Sequence, residues 1–234
     1  MRQRISKILA RRRVWSLPYV VFMAIFIVMP LVLIMFYAFQ AKGGGFSMEN
    51  FVRFINQPEA ANTFIYSIGI ALITTIICLV LGYPAAYILS NKEFNRSKTM
   101  VLLFILPMWV NVLIRTLATV SLFDITGIPL GEGALLFGLT YDFLPFMIYP
   151  IYNTMMKIDK SLIEAAQDLG ANQLRVFLKV ILPLSIPGVV SGIMMVFLPT
   201  ISTFAISELL TMNDIRLFGS IIQENIMLSD TMNY

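Results

Sequence analysis

Histidine is absent from this chain of 234 residues, and Cys78 is its single cysteine. Imidazole catalysis and an internal disulfide are therefore excluded, and a metal site would have few ligands to draw on. Charged residues make up only 13% of the chain, about half of the share that is usual in soluble proteins, whereas hydrophobic residues make up 58%. One soluble core of this length could not bury so much apolar surface. The composition therefore predicts a membrane protein without a metal site.

A nucleotide-binding motif is also missing. The run Gly43-Gly44-Gly45 is not followed by the Lys-Ser or Lys-Thr of a phosphate-binding loop, and we interpret it as a flexible turn. We therefore expect that the chain is not an enzyme and holds no cofactor of its own. The net charge of +4 could suggest a nucleic-acid partner, but the placement of the basic residues along the chain explains it better.

Apolar runs of about 20 residues, the length that crosses a bilayer as a helix, occur five times. The predicted spans are 17–39, 64–89, 100–123, 134–156 and about 184–210. These runs predict an all-α, polytopic transmembrane helix bundle. Residues 211–234 are too polar to cross, but their apolar residues recur at helical spacing, which predicts an external amphipathic helix. We expect that a sixth span is missing from the end of the chain.

The connections between these spans differ in charge. Thirteen of the seventeen basic residues fall in three segments, which are the tail 1–16, the connection 91–99 and the connection 157–179. All three lie on the same side of a five-span topology. Because basic loops stay in the cytoplasm, we expect a cytoplasmic N-terminus and a cytoplasmic connection at 157–179.

The connection before the fifth span carries the most informative pattern. Glu164-Ala165-Ala166, then Gly170, then Leu182-Pro183 at the start of the next span resembles the EAA loop of ABC-importer permeases, with Val180 where that family has Ile. Asp159 and Ser161 are suitable N-cap residues, and Gly170 is suited to end the first helix. The pattern predicts a helix-turn-helix at about 159–179 on the membrane surface. An ordinary amphipathic interfacial helix is the alternative.

The resemblance extends along nearly the whole chain. Residues 62–89 look like the start of the permease core, and the segment LPMWVNVLIRTLA, residues 106–118, is similar to spermidine/putrescine permease subunits. The resemblance implies an importer in the bacterial cytoplasmic (inner) membrane. Its other parts would be ATPase subunits that bind ATP and Mg²⁺ and grip the EAA helix, a second homologous permease, an external substrate-binding protein and the surrounding lipid.

A polyamine carries several ammonium groups, so its path should offer carboxylates and aromatic faces. An ionisable residue within a span is costly unless it faces protein or water, which draws attention to Asp142 and Arg115. The predicted substrate path comprises Trp109, Asp124, Tyr141, Asp142 and Glu208. Two alternatives stay open for these residues: Asp142 could pair with Arg115 simply to hold two helices together, and Trp109 could be packing. For the whole protein, another small solute, or a self-sufficient carrier or channel, is the alternative.

Overall fold

The computed structural model describes residues 16–40, 45–91 and 99–231. The basic residues of the tail and of 92–98, together with Gly43 and Gly44, lie outside the described residues. The chain divides into two units, Met1–Ala61 and Asn62–Tyr234. In the described ranges every regular element is a helix, and one isolated bridge joins Gln40 to Phe46. The prediction of an all-α protein is confirmed.

Ten helices follow one another along the described chain. They are α1 (Leu17–Ala38), α2 (Glu49–Asn56), α3 (Pro58–Ser90), α4 (Thr99–Trp109), α5 (Val112–Thr126), α6 (Glu132–Met155), α7 (Lys160–Asp168), α8 (Gln173–Ser202), α9 (Ala205–Thr211) and α10 (Phe218–Thr231). Four of them, α1, α3, α6 and α8, are long and apolar enough to cross a membrane, and α4 with α5 forms a fifth candidate that is bent by 96°. A polytopic helix bundle is thus confirmed, with four spans in the described residues, or the predicted five if the bent pair crosses as one span.

The first unit is organised around the turn after α1. Asn50 on α2 donates hydrogen bonds to the carbonyls of Ala38 and Gln40, each at 3.1 Å. The ring of Phe39 stacks on Phe46 and also contacts Phe51. These contacts fold α2 back against the end of α1.

In the second unit, α6 is the central helix. Half of its apolar window is buried, compared with 33% for α3 and 28% for α8. Glycines allow its neighbours to approach closely: a Cβ on Gly188 of α8 would lie only 2.8 Å from the Pro150 carbonyl of α6, and one on Gly192 only 2.7 Å from Met147 Sδ. In lipid, where helices gain little from apolar burial, such close van der Waals contact is a main source of association.

Two π-helical segments interrupt the regular winding of spans. One covers Ala24–Val28 in α1 and the other Phe177–Ile181 in α8, and each ends two residues before a proline, Pro30 or Pro183. A proline cannot donate the usual helical hydrogen bond, and its ring collides with the carbonyl four residues earlier. The widened π turn relieves that collision without ending the helix.

The third predicted span, 100–123, differs from the structure because it is not one helix. The chain breaks at Val110 and Asn111. Pro107 lacks the N–H that would continue the first half, and the Asn111 side chain accepts a hydrogen bond from Leu113 N at 2.8 Å, which starts a new helix in a new direction.

The fifth span is also displaced from the predicted 184–210. Its helix α8 begins at Gln173 and ends at Ser202, so the residues from 173 onward do not form a separate surface helix. Thr203 is extended, and the short helix α9 follows it. The carbonyls of Ser202 and Thr203 lie against Gly219 of α10, where a side chain would not fit. Leu209 and Leu210, which the predicted fifth span included because they are hydrophobic, belong instead to α9.

Candidate functional site

The connection between α6 and α8 is built around the short helix α7. Asp159 caps it, since Asp159 Oδ1 accepts a hydrogen bond from Ser161 N at 3.0 Å. This backbone N–H also holds the pKa of the Asp159 carboxyl below its usual range. The turn after the helix contains Gly170, whose φ of +81° is a left-handed conformation that glycine adopts without strain. The N-cap at Asp159 and the turn at Gly170 are as the sequence predicts.

The two faces of α7 are unequal. Ile163 and Ala166 are half-buried against the hydrophobic core, whereas Glu164 and Ala165 are exposed. Leu169, just beyond the helix, is 90% exposed. The helix therefore presents a mixed surface of polar, charged and small side chains, with the carboxylates of Glu164 and Asp168 both exposed, which is the kind of surface that a partner could cover.

The turn leads directly into α8. Asn172 caps α8 by accepting a hydrogen bond from Arg175 N at 2.9 Å, and the sequence analysis overlooked this cap. Leu182 and Pro183, the last residues of the predicted motif, lie inside α8 immediately after the π segment. The motif therefore joins the surface helix α7 to a span through one short turn, and the chain then stays helical from Gln173 to Ser202.

A buried ion pair joins the second half of the broken span to the central helix. Arg115 Nε of α5 lies 3.3 Å from Asp142 Oδ1 of α6, and the side chains are 7% and 1% exposed. The two atoms are not aligned as a hydrogen bond, so the contact is chiefly Coulombic. Arg115 does donate a hydrogen bond to the Asp142 carbonyl at 3.3 Å, and Thr116 Oγ1 donates one to Asp142 Oδ2 at 3.1 Å.

Tyr141 lies beside this pair. The Arg115 guanidinium carbon is 5.8 Å from the centre of the Tyr141 ring, within the range of a cation–π contact. The same ring stacks on Phe137. Since Asp142 is almost fully buried and already faces a cation, the arrangement fixes α5 on α6, and a substrate could reach the carboxylate only if Arg115 moved away.

The remaining predicted path residues lie elsewhere. Trp109 is 85% exposed at the end of α4, Asp124 is exposed near the end of α5, and Glu208 is half-buried on α9. Within the described ranges, no hydrogen bond or ion pair connects their side chains to the Asp142 cluster. Helix α9 does pack against both α5 and α6. Tyr141 and Asp142, which are neighbours in sequence, thus both face Arg115, and the other three predicted path residues lie outside this cluster.

Sequence reasoning missed several residues that shape this region. Thr116 supplies a hydrogen bond to Asp142, and its position next to Arg115 could have suggested it. The spacing Gly188-x-x-x-Gly192 was also overlooked, although two small residues four apart in a span indicate close helix packing.

Comparison with known proteins gives a consistent result. The family described as the binding-protein-dependent transport system inner membrane component matches residues 79–233. The spermidine/putrescine transport system permease protein PotB of Escherichia coli is 34% identical over 195 residues, which cover 76% of this chain and 70% of that protein. PotB of Haemophilus influenzae is 33% identical over 227 residues, covering 87% and 79%.

A more distant relative and a solved structure are also similar. The PotB homolog of Mycoplasma genitalium is 29% identical over 213 residues, covering 86% of this chain and 75% of that protein. A structure of the MetNI methionine ABC transporter in an inward-facing conformation has a TM-score of 0.58 at 19% identity, covering 69% of this chain and 77% of that one. At that identity the likeness concerns the fold alone.

Proposed function

The chain belongs to the family of binding-protein-dependent transport system inner membrane components, and from this premise we propose that it is the permease subunit of an ABC importer that moves spermidine or putrescine inward. The chain spans the membrane several times and forms the passage, while a separate ATPase subunit hydrolyses ATP with Mg²⁺. A second homologous permease completes the passage, and an external binding protein delivers the substrate. The similarity to two PotB proteins at 33% and 34% identity supports the polyamine as cargo.

The observation that carries the importer assignment is the helix α7. It lies between two membrane-spanning helices, and its exposed face carries Glu164 and Ala165. We assign this face, together with Ala166 and the Gly170 turn, to the ATPase. Because α8 continues without interruption from the turn, a displacement of α7 by the ATPase would act directly on a spanning helix. Leu182 and Pro183 belong to this connection, since they directly follow the π segment by which α8 accommodates the proline without ending.

The proposed orientation places α7 and the N-terminus in the cytoplasm. Lys157, Arg175 and Lys179 flank α7, and Lys160 is its first residue. Excess Lys and Arg mark cytoplasmic connections. A cytoplasmic α7 is also the only arrangement in which an ATPase that draws on cellular ATP could reach it.

The proposed substrate path follows from exposure. Trp109 stands at the break in the third span, where the end of α4 leaves backbone carbonyls without helical donors. Carbonyl oxygens and an indole face both attract an ammonium group. Broken helices also form the substrate sites of many secondary transporters. Asp124, Tyr141 and Glu208 complete the accessible part of the path, and Asp142 joins it only in a state in which Arg115 has released it.

The test of this function is ATPase activity in proteoliposomes that contain this chain with its neighbouring permease and ATPase subunits. A binding protein loaded with spermidine should stimulate hydrolysis, and the empty binding protein should not. If only a binding protein loaded with a different solute stimulates hydrolysis, that solute is the cargo instead of a polyamine, and the importer assignment still holds. A chain that associates with no ATPase would instead be a self-sufficient carrier or channel.

The role of α7 is tested separately with two matched proline substitutions. Gly170 and Gly127 are both left-handed glycines that end a helix, with φ of +81° and +69°, and a Cβ added to either would meet no atom within 4 Å. Proline cannot adopt a positive φ, so each substitution disrupts one turn. Gly170→Pro should abolish transport and co-purification of the ATPase while membrane insertion persists, and Gly127→Pro should leave the ATPase bound. Normal uptake by Gly170→Pro would overturn the assignment of α7.

A further inference from the structure

A groove of about 230 Å³ lies between the end of α7 and the first turns of α8. Four of its lining residues are apolar and two are basic: Ala166, Leu169, Ala171, Val180, Arg175 and Lys179. The groove exists because the chain reverses at Gly170, which places the last turn of α7 beside the start of α8. Its shape therefore depends on backbone that is fixed by hydrogen bonds, including Ala171 N to the Ala166 carbonyl at 3.0 Å.

The position of the groove relative to the bilayer follows from the length of α8. Residues 180–201 contain no charged side chain and, at 1.5 Å per residue, extend over about 33 Å, which matches the hydrocarbon thickness of about 30 Å. Lys179 is the last charged residue before this apolar stretch. Arg175, one turn earlier, lies about 6 Å further out. Both basic groups thus stand at the depth of the lipid headgroups.

Within the described residues, the positive charge of the groove is not compensated by an ion pair. Arg175 and Lys179 are four residues apart, so they share one face of α8, and both are exposed. In the part of the chain that the structure describes, no carboxylate forms an ion pair with either residue. Asp168 is close in sequence but does not line the groove. Two uncompensated cations at this depth attract a lipid phosphate.

The apolar lining suits the remainder of such a molecule. Leu169 is 90% exposed, which is unfavourable in water but not beside the glycerol and the first methylenes of a lipid chain. Val180 continues the apolar lining toward the hydrocarbon. A soluble anion would use the two cations and leave Leu169 in water, and an acidic side chain of a partner protein would have to enter the headgroup layer to reach Lys179.

We propose that this groove binds the headgroup of an anionic phospholipid, with Arg175 and Lys179 on the phosphate and Leu169 against the glycerol region. Basic pockets beside spans on the cytoplasmic side are typical sites for such lipids. The proposal depends on the orientation given above but not on the cargo. The lipid would hold the turn between α7 and α8 at the membrane surface.

The experiment is native mass spectrometry of the detergent-purified chain, titrated with phosphatidylglycerol or with phosphatidylcholine of the same acyl chains. Arg175→Gln combined with Lys179→Gln removes both charges, and Lys157→Gln combined with Lys160→Gln removes two exposed charges on the same side as a matched control. The wild type and the control should retain one phosphatidylglycerol that the first double variant binds about 30-fold more weakly. Phosphatidylcholine should not distinguish the three proteins.

Three results would overturn the proposal. Equal retention of phosphatidylglycerol by both double variants would show that the groove is not the site. Competition by inorganic phosphate at the same concentration as the lipid would make it a site for soluble anions. Unchanged lipid binding with loss of ATPase co-purification in the Arg175 and Lys179 variant would assign the groove to the ATPase. Because the lipid measurement uses the chain without its partners, its failure leaves the importer assignment untouched.

Discussion

Removing one member of the buried pair between Arg115 and Asp142 should destabilise the chain far more than removing both. At 3.3 Å, two unit charges attract by about 5 kcal/mol at an effective dielectric constant near 20. Loss of one partner leaves a buried charge without compensation, which costs about 3 to 5 kcal/mol. We therefore expect losses of that size for Asp142→Asn and for Arg115→Met. In the double variant both charges are gone, and its stability should return to within about 1 kcal/mol of the wild type.

The assay is unfolding in mixed micelles of dodecyl maltoside and sodium dodecyl sulfate, followed by circular dichroism. The exposed pair Arg216 and Glu224 is a matched control, since its N–O distance of 3.0 Å is similar but both side chains are more than half exposed. Its coupling energy should stay below about 1 kcal/mol. A coupling energy for Arg115 and Asp142 that does not exceed the control would refute the reasoning, and the pair would then have no role in holding α5 on α6.

Three further predictions use the same preparation. Gly188→Ala places a Cβ 2.8 Å from a backbone carbonyl and should lower the free energy of unfolding by about 1 to 3 kcal/mol. The control Gly69→Ala, whose Cβ meets nothing within 4 Å, should be neutral or stabilising. Equal effects of the two substitutions would contradict the close packing of α8 on α6. Tyr83→Phe removes the 2.9 Å hydrogen bond to Ser185 and should cost about 1 kcal/mol by thermal unfolding, and no change would show that the bond is not formed. The lowered pKa of Asp159 means that its cap stabilises α7 above the pKa of the unfolded chain and is lost as the pH falls through the folded pKa. The protection factors of the α7 amides, which are corrected for the intrinsic exchange rate at each pH, should therefore fall in acid, and Asp159→Asn, which still caps, should remove that dependence.

Hydropathy was sufficient to locate three of the spans. The ends predicted for α1, α3 and α6 fall within a few residues of the structure, except that α3 begins at Pro58 rather than Phe64. The apolar length that a bilayer requires determines these helices, and that length is visible in the sequence. Local signals were also reliable where one residue determines one turn, as at Asp159 and Gly170.

The remaining features depend on contacts that hydropathy does not record. The break after Trp109 arises from a proline and an asparagine cap within a stretch that is apolar enough overall to be predicted as one span. The end of α8 at Ser202 lies against Gly219 of a later helix, a contact that no local pattern reveals. For the ion pair, the sequence named both Arg115 and Asp142 but left their contact as one of two possibilities, because only the packing of α5 on α6 decides which groups meet. The roles of Trp109, Asp124 and Glu208 in transport stay predictions.

Helix α8 stays helical from Gln173 to Ser202 despite its π segment, so it can act as a lever. Its 30 residues extend over about 45 Å, and the close contacts at Gly188 and Gly192 lie near its middle, about 25 Å from the Gln173 end and about 18 Å from the Ser202 end. Those contacts would act as the fulcrum, because α8 and α6 already touch there and α8 cannot move closer to α6 at that point. A sideways displacement of about 1 Å beside α7 would then move the far end by roughly 0.7 Å in the opposite direction. A motion applied on one side of the membrane would thus arrive on the other side reversed and slightly reduced.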